Sequence, residues 1–411
     1  MSLREKLFPE NRMGLNRFWN FSRGGIDNFR SGLRDAVSGV EQTRSRMMDY
    51  DQLLVWAVLS LALIGLVMVY SASITLADGP KYANYSSNFF LIRHLISLAI
   101  AISVAIWVFK IPTKVWDRYS PVIFGFTVLL LIAVLIPGVG KGVNGAKRWI
   151  PLGLMNFQPS ELMKFAAIIF AASYTVQRQE YLHSFVKGML PMGIAVALVG
   201  GLLMAEPDMG AFVVVALIAF GILFLGGINA KLFGGLIAVG LMSGATMIAL
   251  SPFRRGRMLA FMDPWQVDNA ANKGYQLTHS LMAFGRGEWF GTGLGGSVEK
   301  LHYLPEAHTD FIMAVIGEEL GFVGVVVMIF LFYWIVRRAF MIGRTALQLD
   351  RSFAGLAAKG VAIWIGWQAF INMGVNLGLL PTKGLTLPLV SYGGSGILMN
   401  AVAIAMLLRI D

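Results

Sequence analysis

Apolar residues along this chain come in long runs, near 52–73, 89–109, 119–136, 160–176, 188–204, 210–227, 231–250, 311–336, 358–378 and 394–409. A helix rises about 1.5 Å per residue, so roughly 20 apolar residues cross the hydrocarbon of a bilayer. Each run therefore predicts a transmembrane helix. The expected fold is an all-α polytopic integral membrane protein of about ten transmembrane helices. An even number of crossings puts both termini on one side.

Basic residues choose that side. With the N-terminus inside, the inner segments hold the basic tail, Lys110, Lys114, Arg118, Arg178, Lys187, Arg337, Arg338, Arg344, Arg351 and Lys359, which is the positive-inside pattern. The reverse arrangement pushes most of these charges outward. The expected topology is N-in/C-in, with 1–50 as a cytoplasmic tail and 51–411 as the ten-helix domain. The tail is polar, rich in Arg and Gly, and has no apolar h-region of a cleaved signal peptide. Four loops then face outward: 74–88, 137–159, 251–310 and 379–393.

Composition agrees with a bilayer as the solvent. Of 411 residues, 56% are hydrophobic and only 14% charged, and the mean hydropathy is +0.65, too apolar for a water-soluble globule. The net charge of +11 does not call for nucleic acid, since basic residues here retain loops inside and attract anionic membrane lipids. With no cysteine, disulfides, thiol catalysis and zinc–cysteine sites are excluded. The histidines, His94, His183, His279, His302 and His308, lack the helical i, i+4 spacing of a metal pair.

The 251–310 loop is long enough to escape the orientation rule, and it carries Arg254, Arg255, Arg257, Lys273, Arg286 and Lys300. An anionic ligand at the outer leaflet explains that charge, and so does general attraction to anionic lipid. In the 145–165 segment GAKRWIPLGLMNFQPSELMKF, Lys147, Arg148 and Trp149 follow a Gly-rich turn, and Pro159 and Ser160 mark a helix start. Trp149 also suits an interfacial anchor. Lys164, a turn inside that helix, needs a partner or a polar cavity, and Glu161 at i, i+3 can supply the former. Glu206 and Asp208, flanking Pro207, read as solvated or capping carboxylates at a tight turn. The glycines between 285 and 296 follow no strand and do not fit a nucleotide-binding fingerprint. They permit close backbone approach to a ligand or to another helix.

Glu306, His308 and Asp310 converge where the long loop enters a helix. A carboxylate there is partly desolvated and reachable from the outer leaflet, as a general base must be. An N-terminal helix cap by Thr309 or Asp310 fits the same spacing. Glu318 and Glu319, roughly 12 Å further along, each need a partner in a buried network or a cavity. The last loop, GLLPTKGLTLPLVSYGGSG, sets Lys383, Ser391 and Tyr392 in a rigid, re-entrant segment suited to holding a phosphate.

These segments resemble the SEDS family (shape, elongation, division and sporulation) of cell-wall polymerases, over residues 52–409. The resemblance rests on GAKRWIPLGLMNFQPSEL, EPDMG, GYQLTHSLMAFGRGEWFGTGLGGSVEKLHYLPEAHTDFI, IGEELG and LPTKGLTLPLVSYGGSG. HTDF and SYGGS occur in both the division and elongation branches, whereas LPEAHTDF and KGLTLPL look more like the division branch. The resemblance implies a peptidoglycan glycosyltransferase of the bacterial inner membrane at the division septum, polymerising lipid II into a growing glycan strand on the outer face. It also implies a class B penicillin-binding transpeptidase and other divisome membrane proteins as partners. Asp310 falls on the family's essential aspartate and is the expected base. Arg148, Lys164, Arg286 and Lys383 are expected to stabilise pyrophosphates, with a divalent cation (Mg or Mn) as a possible aid. Trp149, Glu306, His308, Ser391 and Tyr392 complete the expected substrate-binding set. The chain departs from family wording at GGSGILMN and FIMAV, where Gly396 removes a hydroxyl.

A lipid II flippase, a non-catalytic division scaffold and the elongation branch remain alternatives. A flippase calls for midplane ionisable groups and repeated bundles. No clear internal repeat is visible here, and the polar residues gather at the outer ends.

Overall fold

The computed structural model describes residues 51–78, 85–143, 146–151, 153 and 156–411. The expected 1–50 tail lies outside these residues, as do Gly145, Leu152, Leu154 and Met155 of the 145–165 motif. Ten long helices lie among the described residues: α1 (Gln52–Ser73), α2 (Phe89–Phe109), α3 (Thr113–Leu135), α4 (Pro159–Gln177), α5 (Leu190–Ala205), α6 (Met209–Leu225), α7 (Ala230–Leu250), α11 (Ile312–Gln348), α12 (Ser352–Asn376) and α13 (Gly394–Ile410). Within the long loop lie three shorter ones, α8 (Pro252–Met262), α9 (Val267–Ala271) and α10 (Tyr275–Gly287). Among the described residues, seven helical segments are long and apolar enough to cross a membrane, and α6 and α13 are shorter apolar helices. The chain is thus an all-α polytopic membrane protein.

Local sequence sets the helix ends. Pro159 opens α4, where its missing N–H costs nothing. Asp208 caps α6 by accepting from the Ala211 amide at 3.2 Å, and Asn229 caps α7 through the Lys231 amide. The core lies between α4, α6, α11, α12 and α13, where Phe165, Trp364 and Leu407 are buried. By contrast, the apolar stretch of α7 has no buried residue among those described, a surface that suits contact with lipid.

The structure adds an element that hydropathy does not reveal. Within the 137–159 loop, β1 (Lys141–Val143), β2 (Ala146–Pro151) and β3 (Asn156–Phe157) form an antiparallel sheet in the order β1-β2-β3. Lys141 pairs with Trp149 and Ile150 with Phe157. Trp149, Ile150 and Phe157 suit a pleated, half-buried surface, and strands this short fall below the periodicity signal.

The helix that follows Asp310 is broken. Gly321 in α11 sits at φ 66°, ψ −165°, a conformation that favours glycine. The freed backbone is paired by the 288–293 segment: Thr292 and Gly293 amides donate to the Glu318 and Glu319 carbonyls at 2.9 and 3.1 Å, and Phe322 donates to Glu288 at 2.8 Å. Non-helical backbone at this depth requires such protein partners. Small residues allow the approach, since a Cβ on Gly287 would lie 1.9 Å from the Gly317 carbonyl oxygen. Gly287 and Gly291 therefore serve helix contact, whereas a Cβ on Gly285, Gly293 or Gly295 would meet nothing within 4 Å.

Glu318 and Glu319 are fully buried and belong to a network. Glu319 accepts from Lys300 Nζ at 2.7 Å and from Ser71 Oγ at 2.7 Å. Glu318 accepts from the Ser297 hydroxyl, the Val298 amide and Arg286. The loop leading to Asp310 is thus fastened to α1 and α11 by charge-assisted bonds in a dry environment. Removing one partner of such a pair costs about 3–5 kcal/mol, whereas replacing both with apolar residues is often neutral. Lys300→Met is expected to lower the Tm of the detergent-solubilised protein sharply, with most of the loss recovered in Lys300→Met/Glu319→Leu.

Candidate active site

Asp310 stands just before α11, and its backbone is held from several sides. Its carbonyl accepts from Asn372 Nδ2 at 2.8 Å and Asn376 Nδ2 at 3.0 Å, both on α12. Asn376 Oδ1 in turn accepts from the Ala314 amide in the first turn of α11. The neighbouring Thr309 carbonyl accepts from Ser391 Oγ at 2.6 Å, and the His308 carbonyl from the Tyr392 amide at 3.1 Å. The last loop therefore grips 308–310 through its own backbone and hydroxyl. Ser391 serves this grip; its hydroxyl also accepts from the Leu387 amide.

The Asp310 side chain is treated differently. It does not cap α11, whose N-cap is Phe311 without a side-chain cap bond, and among the described residues its carboxylate receives no hydrogen bond. It faces a cavity of about 450 Å³ shared with Arg93, Arg148, Trp149, Gln158, Glu306, His308 and Tyr392. Burial first, then the nearby Glu306 charge, push its pKa up to about 7, while Arg148 opposes the shift and Asp208 adds to it. Glu306 is pinned in a left-handed turn (φ 58°) and accepts from Thr309 Oγ1 at 3.0 Å. His308, Phe90 and Tyr392 form an aromatic wall with ring centroids 5.0–5.5 Å apart.

A second cavity, of about 270 Å³, opens on the other side of Arg148, Asp208 and Gly384. Arg148, Arg254, Arg257 and Lys383 line it against one carboxylate, Asp208. Desolvation and the charges of Arg257 and Arg254 hold the Lys383 ammonium below the usual lysine range. Cations gathered against their own repulsion make a positive potential that favours an anion. Arg148 is fixed between the cavities by donating from Nε to the Glu206 carbonyl at 3.1 Å and from Nη2 to the Pro207 carbonyl. Gly384 allows the last loop to approach, since a Cβ there would lie 3.0 Å from Asp310 Oδ2.

Six expected residues, Arg148, Trp149, Glu306, His308, Asp310 and Tyr392, thus meet in one cavity, and Lys383 lies in its neighbour. Two expected pyrophosphate ligands do not join them. Lys164 is buried and committed to Glu161 Oε1 at 2.7 Å and Gln368 Oε1 at 2.8 Å, so only Glu161 reaches the cavity. Arg286 pairs with Glu318 at 3.3 Å in the loop network. Arg93 and Gln158 drew no notice in the sequence, and Asp208 read only as a solvated or capping carboxylate; all three line the cavity. Arg254 and Arg257 were visible only as loop charge. A side chain at Gly396 would sit 3.7 Å from Glu161 Oε2 at the cavity edge.

Glu206 overturns the solvated reading. It is fully buried, and neither carboxylate oxygen has a hydrogen-bond partner among the described residues. Burial first, then Asp208, raise its pKa to about 8, against the pull of Arg148. The turn between α5 and α6 hides one carboxylate while the other caps. Among the described residues no three His, Asp or Glu side chains come together as a metal cage.

Ten long helices among the described residues, a broken helix after Asp310 and adjoining polar and cationic cavities define a polytopic membrane protein with a candidate site in its interior. Residues 52–411 match the model of the FtsW/RodA/SpoVE family, described as a cell cycle protein, and the chain belongs to that family. A probable peptidoglycan glycosyltransferase FtsW of Polynucleobacter necessarius subsp. necessarius (strain STIR1) is 95% identical over 411 residues, 100% of this chain and 97% of that one. The protein of the same name in Burkholderia thailandensis is 64% identical, over 92% of this chain and 82% of its own. A solved chain from work on the structural coordination of polymerization and crosslinking by a peptidoglycan synthase complex superposes with a TM-score of 0.73 at 29% identity, covering 88% of this chain and 97% of that one.

A neutral buried carboxylate makes a pH-dependent contribution to stability. With the pKa of Glu206 raised from 4.5 to about 8, its contribution is complete below about 4.5 and is lost as pH rises through about 8. Glu206→Gln is expected to flatten the Tm–pH curve across that window and to raise Tm relative to wild type at pH 8.5. An unchanged slope would contradict the burial of a neutral Glu206.

Proposed function

We propose that the chain is a peptidoglycan glycosyltransferase of the division branch, polymerising lipid II at the outer face of the inner membrane at the septum. The carrying observation is the Asp310 carboxylate, which accepts no hydrogen bond among the described residues and lines a polar cavity that adjoins a cationic one. The acceptor sugar's 4-hydroxyl attacks the anomeric carbon of the lipid-linked donor. Its proton passes to Asp310, a glycosidic C–O bond forms with inversion, and the C–O bond to undecaprenyl pyrophosphate breaks. Arg148, Lys383, Arg254 and Arg257 meet the pyrophosphate charge as it develops. A carboxylate with a pKa near 7 accepts a proton at neutral pH more effectively than one near 4. The names borne by close relatives support the same reading.

The described residues do not fit a resident metal, since three acidic or histidine ligands do not converge. A Mg or Mn ion enters the proposal only as one carried on the substrate's phosphates, which supply most of the ligands such ions take in phosphate sites. The proposed partners are a class B penicillin-binding transpeptidase and other divisome membrane proteins, in line with the synthase complex that contains the similar solved chain. The proposed orientation is N-in/C-in, all ten helices crossing, with the cavities facing outward.

Purified protein with its transpeptidase is expected to make glycan polymer from lipid II, and Asp310→Asn to lower the rate by about 10²–10⁴-fold while leaving Tm intact. Full activity in the variant would remove Asp310 from the mechanism. Because the base must be ionised, kcat/KM is expected to rise with pH to a half-maximum near 7. An acid limb near 4 would place the proton elsewhere.

A further inference from the structure

A third cavity continues the line of the first two. The cationic cavity shares Arg257 and Thr382 with an open groove of about 920 Å³ lined by Asp268, Asn269, Asn272, Lys273, Tyr275 and Gln276, from α9 and α10. Its chemistry differs from that of its neighbour. The cationic cavity sets four cations against Asp208; the groove sets Arg257 and Lys273 against Asp268, and the rest of its polar lining is uncharged. An anion is drawn more strongly to the former than to the latter.

The groove also has hydrogen-bonding capacity to spare. Asn269 spends its Nδ2 on the Asp263 carbonyl and Gln266, and Asn272 spends its Nδ2 on the Asp268 carbonyl. Among the described residues, both Oδ1 atoms lack a donor and the Gln276 amide has no partner. Asn269 on α9 and Asn272 at its C-cap are held by these bonds, and Gln276 on α10 adds an uncommitted amide to the groove. The Tyr275 ring packs on His279 with centroids 4.2 Å apart, which fixes a flat surface beside them. Fixed amides with an aromatic ring suit neutral, polyhydroxylated rings. The volume is at the upper end for ligand sites, enough for more than a single small ring.

We propose that this groove binds the emerging glycan strand, as a subsite for sugars already joined, distinct from the pockets for the reacting sugars and pyrophosphate. The inference rests on the glycosyltransferase reading above. A strand whose reducing end lies at Asp310 with its pyrophosphate among Arg148, Arg254 and Lys383 passes its older sugars along Thr382 into the groove. The groove then holds the strand between additions, so it governs strand length without touching the reacting atoms.

The test uses the full-length protein and two separate readouts. Binding of neutral N-acetylglucosamine oligosaccharides is followed by saturation-transfer NMR in wild type, Asn272→Ala/Gln276→Ala and Gln276→Trp. Loss of two hydrogen bonds is expected to weaken binding about tenfold, and the Trp variant to block it. With lipid II as substrate, the first coupling is expected to keep its wild-type rate in both variants while mean strand length falls severalfold. Unchanged glycan affinity and strand length would overturn the proposal. So would an equal loss of first coupling and elongation, or displacement of the glycan signal by free stem peptide, which would make the groove a peptide site. The binding readout needs no catalysis, so a wild type that binds glycan but makes no polymer sinks the enzyme reading and leaves the groove standing.

Discussion

Water is scarce inside this bundle, and an ion there survives only with a partner. The structure obeys that constraint through much of its interior. Lys164 meets Glu161 and Gln368, Lys300 meets Glu319 and Ser71, and Glu318 gathers a hydroxyl, backbone amides and Arg286. Glu206 meets the same constraint by another route, with a pKa pushed high enough to hold its proton at neutral pH. Asp310 is set apart by its position. Its backbone is held by Asn372, Asn376 and the last loop, while its carboxylate is left to the cavity.

That division between a fixed main chain and an uncommitted side chain is what a general base requires. Reacting groups gain most from being held in place before reaction, and a carboxylate already tied up in hydrogen bonds is a poor proton acceptor. The broken α11 contributes from behind. By opening at Gly321 it lets the 288–293 segment plug into the helix, and Lys300 and Ser297 then clamp the loop against Glu319 and Glu318. Asp310 is thereby approached by two rigid arms, the clamped loop on one side and the SYGGS turn on the other.

The helical fold was legible because runs of about 20 apolar residues have one reading in a bilayer. The site was legible where chemistry is concentrated in short motifs: Arg148, Trp149, Glu306, His308, Asp310 and Tyr392 do share a cavity. What the sequence concealed depends on contacts between distant segments. Arg286 looked like a free loop cation, but the approach of Gly287 to Gly317 swings it onto Glu318. Glu206 looked solvated because a turn is usually wet, and only the packing around α5 and α6 buries it. The small sheet escaped notice since strands of two to six residues leave little periodicity. For Lys164, the i, i+3 partner Glu161 was the sounder clue.

The cavity leaves the Asp310 carboxylate partly desolvated and, among the described residues, without a hydrogen bond, with its proton affinity raised into the neutral range. Infrared difference titration of the reconstituted protein, with Asp310→Asn as the blank, reads that carboxyl band directly. A carboxyl that titrates near pH 7 and disappears in the variant is expected. A band that titrates near the ordinary aspartate value of about 4 would contradict it.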